Sequence, residues 1–125
     1  MKAIPILLMV LLLSACSVIS EFDNNEYAAL ARLVATAEVI RCDDPTNVRD
    51  RLDDLELEAQ YLVTYATYRS KNVDTISIAE IVQSNVKEMQ DRYASSDPSP
   101  VYCKVKKQLL IDGGNEGLAA LETKR

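Results

Sequence analysis

The spacing of the apolar residues is the feature that most constrains how this chain folds. Beyond residue 20, apolar side chains recur at intervals of three and four, the repeat of one face of an α-helix, and the two-residue alternation of a half-buried strand is absent. The chain has 3 glycines in 125 residues, so little interrupts this pattern. The sequence therefore predicts an all-α domain.

The first predicted helix covers 24–41. Asp23 can cap its N-terminus, Glu26 can reach back to complete a capping box, and Phe22 can pack on Tyr27 as a hydrophobic staple. Its predicted core stripe is Tyr27, Leu30, Leu33, Val34, Ala37 and Ile40.

The second predicted helix covers 45–69 and is the longest. Asp44 suits the N-cap position and Pro45 the first turn. Its predicted core stripe is Val48, Leu52, Leu55, Ala59, Leu62 and Ala66.

The third helix is marked by a capping box at Ser77 and Glu80, with Ile76 and Ile81 placed as its staple. Its predicted core stripe is Val82, Val86, Met89 and Tyr93.

The fourth helix is expected to be shorter. Ser99 and Pro100 open it, and Gly113 with Gly114 is expected to close it, leaving 114–125 as a loosely held tail. Its predicted apolar stripe is Val101, Val105 and Leu109.

Short connections between four helices favour antiparallel neighbours. The sequence therefore predicts a small up-and-down four-helix bundle over 24–113. A chain of this length is enough for one domain with one modest core.

The N-terminus has the parts of a secretory signal. Lys2 is followed by the apolar run 4–13 and then by Leu13-Ser14-Ala15-Cys16. That four-residue pattern resembles the lipobox of bacterial lipoproteins. An uncleaved anchor is the alternative, although a spanning helix needs about 20 apolar residues.

The lipobox resemblance implies an address. Residues 1–15 would be removed as a signal peptide, and Cys16 would carry a diacylglycerol and further acyl chains such as palmitate. Ser17 would direct the protein to the outer membrane, with the domain on the periplasmic face. The tether 17–23 would reach at most about 25 Å.

The charge of the chain excludes some partners. The precursor has 14 basic and 19 acidic residues, and loss of Lys2 with the signal peptide leaves 13 basic residues and a net charge of −6. Nucleic acids and anionic lipid surfaces attract clustered Lys and Arg instead. We therefore expect no nucleic-acid partner, and membrane contact through the lipid alone.

The cysteines divide into an anchor and a pair. Once Cys16 is assigned to the lipid, Cys42 and Cys103 remain as an even pair in an oxidising compartment, and a disulfide between them is expected. Two free thiols are the alternative. The helix periodicity places Cys103 beside Leu110 and off the predicted stripe of the fourth helix, which indicates a bond on the flank of the core.

Catalytic constellations are not evident. The chain has no His and no spare Cys for acid/base, nucleophilic or metal chemistry. Asp43 and Asp44, like Asp53 and Asp54, fit helix capping and a solvated face better than a metal site. We expect no enzyme activity, no cofactor, no metal and no small-molecule substrate.

Leu57, Tyr61, Tyr65 and Tyr68 form a second apolar face on the predicted second helix, opposite its core stripe. Tyrosine is common at interfaces because its ring supplies contact area while its hydroxyl tolerates water. These residues either bind an envelope protein partner or lean on the third helix, the tail or their own stems.

Two stretches carry a further resemblance. The segment Ala31-Arg32-Leu33-Val34-Ala35-Thr36-Ala37 with Arg41-Cys42, and Arg92-Tyr93 with Ser96-Asp97-Pro98-Ser99-Pro100 and Cys103, are similar to helical pilotins of type II secretion systems. The resemblance implies a disulfide between Cys42 and Cys103, and a lipoprotein that binds the C-terminal segment of a secretin subunit and escorts it to the outer membrane.

Two other classes of function stay open. One is a lipoprotein of a phage or mobile element, acting in superinfection exclusion or as the outer-membrane subunit of a spanin. The other is an inhibitor or immunity protein for a periplasmic enzyme, which would use the acidic second helix against a basic cleft.

Overall fold

A computed structural model describes residues 21–69 and 71–125, so the expected signal peptide, Cys16 and Ser17 lie outside the described residues. The described chain forms four helices. They are α1 (Asn24–Glu38), α2 (Pro45–Tyr68), α3 (Val73–Ser95) and α4 (Pro100–Glu122).

The helices form a closed ring. Each packs against its neighbours in sequence, and α4 packs back against α1. The connections are short, so consecutive helices run antiparallel. The prediction of an all-α up-and-down four-helix bundle is confirmed.

The core follows the predicted stripes in α2 and α3. All six predicted α2 residues and all four predicted α3 residues are buried, and Ala79 joins them. In α1 the prediction holds for Leu30, Leu33, Val34, Ala37 and Ile40, whereas Tyr27 is half-buried and Glu26 and Ala29 lie inside instead. The predicted staple also forms, with the Phe22 and Tyr27 ring centroids 5.7 Å apart.

The start of α3 differs from the prediction. The helix begins at Val73, four residues before Ser77, and the expected staple partner Ile81 is exposed. Asn72 occupies the N-cap position, but its side chain does not cap the helix and donates instead to Glu26 and to the Ala66 carbonyl. A buried polar partner therefore set this boundary, and local capping signals did not reveal it.

The end of α4 contradicts the predicted tail. The helix continues through Gly113 and Gly114 to Glu122, and Leu121 is buried against α1 and α2 residues. None of the glycines has a positive φ, so they do not act as left-handed helix stops. The division into a domain over 24–113 and a tail over 114–125 is therefore wrong.

Close packing between helices explains why glycines occur inside α4. A Cβ on Gly114 would collide with Val34, and one on Gly117 would come within 2.8 Å of Leu30 Cδ2 and 3.0 Å of Ile78 Cγ2. Glycine at these two positions lets the α4 backbone approach α1 and α3.

The predicted stripe of α4 is also wrong. Val101, Val105 and Leu109 are exposed. The buried face is instead Cys103, Leu110, Gly114, Gly117 and Leu121.

The disulfide joins Cys42, in the α1–α2 connection, to Cys103 in the first turn of α4, with the Cα atoms 5.5 Å apart. Cys103 is fully buried in the larger core cluster and Cys42 packs against it. The bond therefore belongs to the core, because the true inner face of α4 is the one that Cys103 shares with Leu110.

An ion pair holds the residues directly after α4. Lys124 pairs with Asp74 at the start of α3. Burial alone would raise the pKa of Asp74, but its contacts with Lys124 and the Thr75 amide outweigh this and lower the pKa below the ordinary range.

The adjacent glycines give a matched pair of substitutions. A Cβ on Gly113 meets nothing within 4 Å, so Gly113→Ala should stabilise the protein by up to about 1 kcal/mol through helix propensity. Gly114→Ala should destabilise it by about 1–3 kcal/mol, because Val34 has a stiff β-branched side chain that must move. Urea unfolding of both variants measures this, and equal effects would contradict the close packing of α4.

Removal of the disulfide should cost stability. The bond closes a loop with a sequence separation of 61, for which loop entropy predicts about 4 kcal/mol. The variant Cys42→Ala with Cys103→Ala should therefore unfold at much lower urea, and dithiothreitol should shift the native protein in the same direction but leave the variant unchanged. A dithiothreitol-insensitive native protein would argue for free thiols.

Candidate partner-binding surface

The outer side of α2 carries large apolar side chains. Leu57 is 72% exposed, Tyr61 46% and Tyr68 88%. The opposite side of the helix is the buried stripe described above, so these residues point away from the core. We call Leu57, Tyr61, Tyr65 and Tyr68 the tyrosine face.

Tyr65 is the half-buried member of this face. Its hydroxyl donates to Asp23 Oδ2 at 3.2 Å and accepts from Asn25 Nδ2 at 3.0 Å, so it is bonded to the start of α1. The Tyr61 ring stacks on it with centroids 6.0 Å apart, and the Arg32 guanidinium carbon lies 5.9 Å from the Tyr61 centroid.

The residues of the tyrosine face therefore differ in environment, and the helix that its inner members contact is α1, which was not among the expected neighbours. Tyr65 and one side of Tyr61 lean on α1, whereas Leu57 and Tyr68 project outward. Because the two central rings are already ordered, little side-chain entropy would be lost when this face binds a partner.

Charge changes along the outer surface of α2. Residues 59–68 contain no charged side chain. The N-terminal half carries five acidic residues against two arginines. The acidic residues are Asp50, Asp53, Asp54, Glu56 and Glu58. The helix thus presents a neutral aromatic half beside an acidic half.

Two of the other acidic candidates, Asp44 and Asp54, make structural contacts. Asp44 caps α2 by accepting from the Asn47 amide at 3.1 Å, and it pairs with Arg41 at 3.0 Å. Asp54 pairs with Arg51 at 3.0 Å. Within 21–69 and 71–125, no three His, Cys, Asp or Glu side chains are grouped so that they could hold a metal ion.

A buried carboxylate lies below the tyrosine face. Glu26 is fully buried, where it accepts hydrogen bonds from Asn72 and from Thr75 Oγ1, the latter at 3.2 Å. Arg69 Nη1 lies 3.0 Å from Glu26 Oε2. The expected capping box at Asp23 is therefore half right, because Asp23 caps α1 but the Glu26 carboxylate faces the core.

Arg69 connects this carboxylate to the start of the described chain. Its Nη2 donates to the Glu21 carbonyl at 3.0 Å, and its Nε lies 3.8 Å from Asp23 Oδ2. Burial disfavours the charged guanidinium, but the carboxylates of Glu26 and Asp23 outweigh this and raise its pKa. We call Asp23, Glu26, Arg69, Asn72 and Thr75 the Glu26 network.

Sequence reasoning missed the Glu26 network, although one signal was present. Glu26 lies four residues before Leu30 and seven before Leu33, so helical periodicity places it on the buried stripe. A carboxylate on a core stripe needs a cationic or hydrogen-bonding partner. Arg69 could not be identified as that partner without the fold.

Two of the depressions on the described surface lie away from the tyrosine face. A groove of about 320 Å³ between α3 and α4 is lined by Ile78, Ile81, Val82, Gly113, Glu116, Gly117 and Ala120. A more polar one of about 430 Å³ includes Arg49, whose side chain donates to the Tyr93 carbonyl at the end of α3. Arg49 thus holds the C-terminus of that helix.

Of the helices in the described part of the chain, none combines the length and apolar character required to span a bilayer. Searches against protein-family models, curated proteins and solved structures give no significant match to this chain. The tyrosine face is therefore a candidate partner-binding surface only because of its own properties. It is exposed, its central rings are ordered, and it has no charged side chain.

Loss of the buried carboxylate should destabilise the bundle. Glu26→Gln leaves the half-buried Arg69 guanidinium without its closest counter-charge, although Asp23 stays 3.8 Å away, and losing charge-assisted hydrogen bonds of this kind costs about 1.5–3 kcal/mol. Glu38→Gln, at an exposed position on the same helix, should change the free energy of unfolding by less than about 0.5 kcal/mol. Chemical denaturation compares the two, and similar small losses would mean that the Glu26 network contributes little.

Proposed function

We propose that this protein is a lipid-anchored binding protein on the periplasmic face of the outer membrane, and that its tyrosine face binds a segment of an envelope protein. In this role it resembles a pilotin, an assembly chaperone for an outer-membrane complex. The observation that carries the proposal is the exposure of Leu57, Tyr61 and Tyr68 on one ordered helix surface.

The dimensions and charge of this surface favour one kind of ligand. Leu57 and Tyr68 are eleven residues apart, or about 16 Å along the helix. A short apolar segment, helical or extended, matches this length. Basic residues at one end of that segment would meet the acidic half of α2, and such complementarity sets orientation and on-rate.

A binding role also agrees with the chemistry of the surface. The tyrosine face has no charged member, and its one engaged hydroxyl, on Tyr65, is bonded to Asp23 and Asn25. Aromatic side chains of this kind often dominate the free energy of protein association.

A second candidate is supported by the acidic half of α2. Asp50, Asp53, Asp54 and Glu56 are exposed on it. An inhibitor or immunity protein could present this surface to the basic cleft of a periplasmic enzyme, and its association rate would then fall steeply with added salt.

The test is crosslinking in native membranes followed by pull-down of the lipidated protein and identification of its partner. Leu57→Ala with Tyr61→Ala should reduce recovery of the specific partner by more than about tenfold, because truncated hot-spot residues cost about 2 kcal/mol or more. The fold should be retained, since Leu57 is 72% exposed, Tyr61 is 46% exposed, and neither belongs to the buried stripe of α2.

The matched control is Val105→Ala with Leu109→Ala. These residues are exposed on α4, which lies across the ring from α2. Equal losses from both double variants would contradict a specific role for the tyrosine face. Recovery of a secretin supports the pilotin-like role, whereas recovery of a basic enzyme through the acidic half supports the second candidate.

A further inference from the structure

The described chain begins at the end of the bundle where α1 starts. Arg69, directly after α2, donates to the Glu21 carbonyl at 3.0 Å and so holds this first residue against the α2 terminus. Cys16 precedes Glu21 by five residues, a span of at most about 18 Å when extended. On the proposed lipid anchoring, this end of the bundle must therefore lie next to the bilayer.

The same end carries two of the most exposed apolar side chains in the described structure. Tyr68, the last residue of α2, is 88% exposed, and Val73, the first residue of α3, is 74% exposed. Lys71 lies between them, is exposed, and has a positive φ of 59°. All three residues are therefore exposed at the connection between α2 and α3.

Three exposed or half-buried acidic side chains at this end lie beside cations, while Glu21 is exposed there as well. Asp74 pairs with Lys124, Glu122 pairs with Arg125 at 3.0 Å, and Asp23 lies beside Arg69. The net negative charge of the whole chain therefore does not describe this surface. An anionic or zwitterionic headgroup region could approach it without facing a row of unpaired carboxylates.

We propose that Tyr68, Lys71 and Val73 form a second membrane contact beside the lipid, with the headgroup region of the bilayer as the occupant. This inference rests on the anchoring in the proposed function and replaces the expectation that the lipid alone touches the membrane. Tyrosine prefers the bilayer interface, lysine extends its ammonium to the headgroups, and valine adds apolar area just below them.

The contact would set the orientation of the domain. A lipid on a short tether restricts height but leaves the domain free to tilt. Contact through the C-terminal end of α2 would orient that helix away from the membrane. Tyr61 would then lie about 10 Å, and Leu57 about 16 Å, further from the membrane end of the helix than Tyr68. This assigns Tyr68 to the bilayer, so that Leu57, Tyr61 and Tyr65 would remain for a partner and would open sideways into the periplasm.

The experiment uses the absence of tryptophan from the chain. Tyr68→Trp introduces a single fluorophore into the full lipidated protein, which is reconstituted into vesicles of phosphatidylethanolamine and phosphatidylglycerol that contain brominated lipid. The emission of Tyr68→Trp should shift to shorter wavelength and be quenched by the bromine. Tyr61→Trp, on the same helix surface, should show neither change.

A second variant tests the contact itself. Lys71→Glu with Val73→Ser, placed in the Tyr68→Trp protein, should remove the quenching while the protein stays bound to the vesicles. If Tyr68→Trp in anchored protein is no more quenched than Tyr61→Trp, the membrane contact is overturned and partner binding is untouched. If the chain takes up no acyl label and does not float with vesicles, the lipid anchoring is wrong. The proposed function and the membrane contact then fail together.

Discussion

The buried carboxylate of Glu26 is the interaction on which one end of this bundle depends. It is fully buried on α1 and is satisfied by Arg69 after α2, Asn72 before α3 and Thr75 within α3. A buried charge is tolerated only where such partners converge, so the first three helices must meet in one register. Through Arg69 and Asp23 the same groups position Glu21 and the Tyr65 hydroxyl, which places the tyrosine face beside the start of the described chain.

Helical periodicity predicted the parts of the fold where large apolar residues fill the core. In α2 and α3 every predicted core residue is buried, because Leu, Val and Met at the correct spacing have only one favourable place. It failed in α4, where Val101 and Val105 are exposed and the inner face is made of Cys103, Gly114 and Gly117. In the sequence alone, small residues such as these glycines indicate the end of a helix. Only the packing of the neighbouring helices shows that they are instead sites of close helix contact.

The tyrosine face was predictable for the same reason, since its residues fall on one side of a helix whose other side was already assigned to the core. Their individual environments were not predictable. Tyr65 is bonded to Asp23, a residue 42 positions away in sequence, and such a long-range contact depends on the register of α1 against α2. The Glu26 network escaped prediction because capping rules and core periodicity competed for Glu26, and the tertiary partners decided between them.

The position of the disulfide divides the molecule mechanically. Cys42 and Cys103 join α1 and α4 at the end of the bundle far from Glu21, so that end is closed by a covalent bond. The opposite end, where the described chain begins, is closed by ion pairs and hydrogen bonds, among them Arg69 with Glu26 and Lys124 with Asp74. On the proposed lipid anchoring, a pulling force would act first on the electrostatic end, and the helices could part there while the disulfide at the far end kept them joined and aligned to close again.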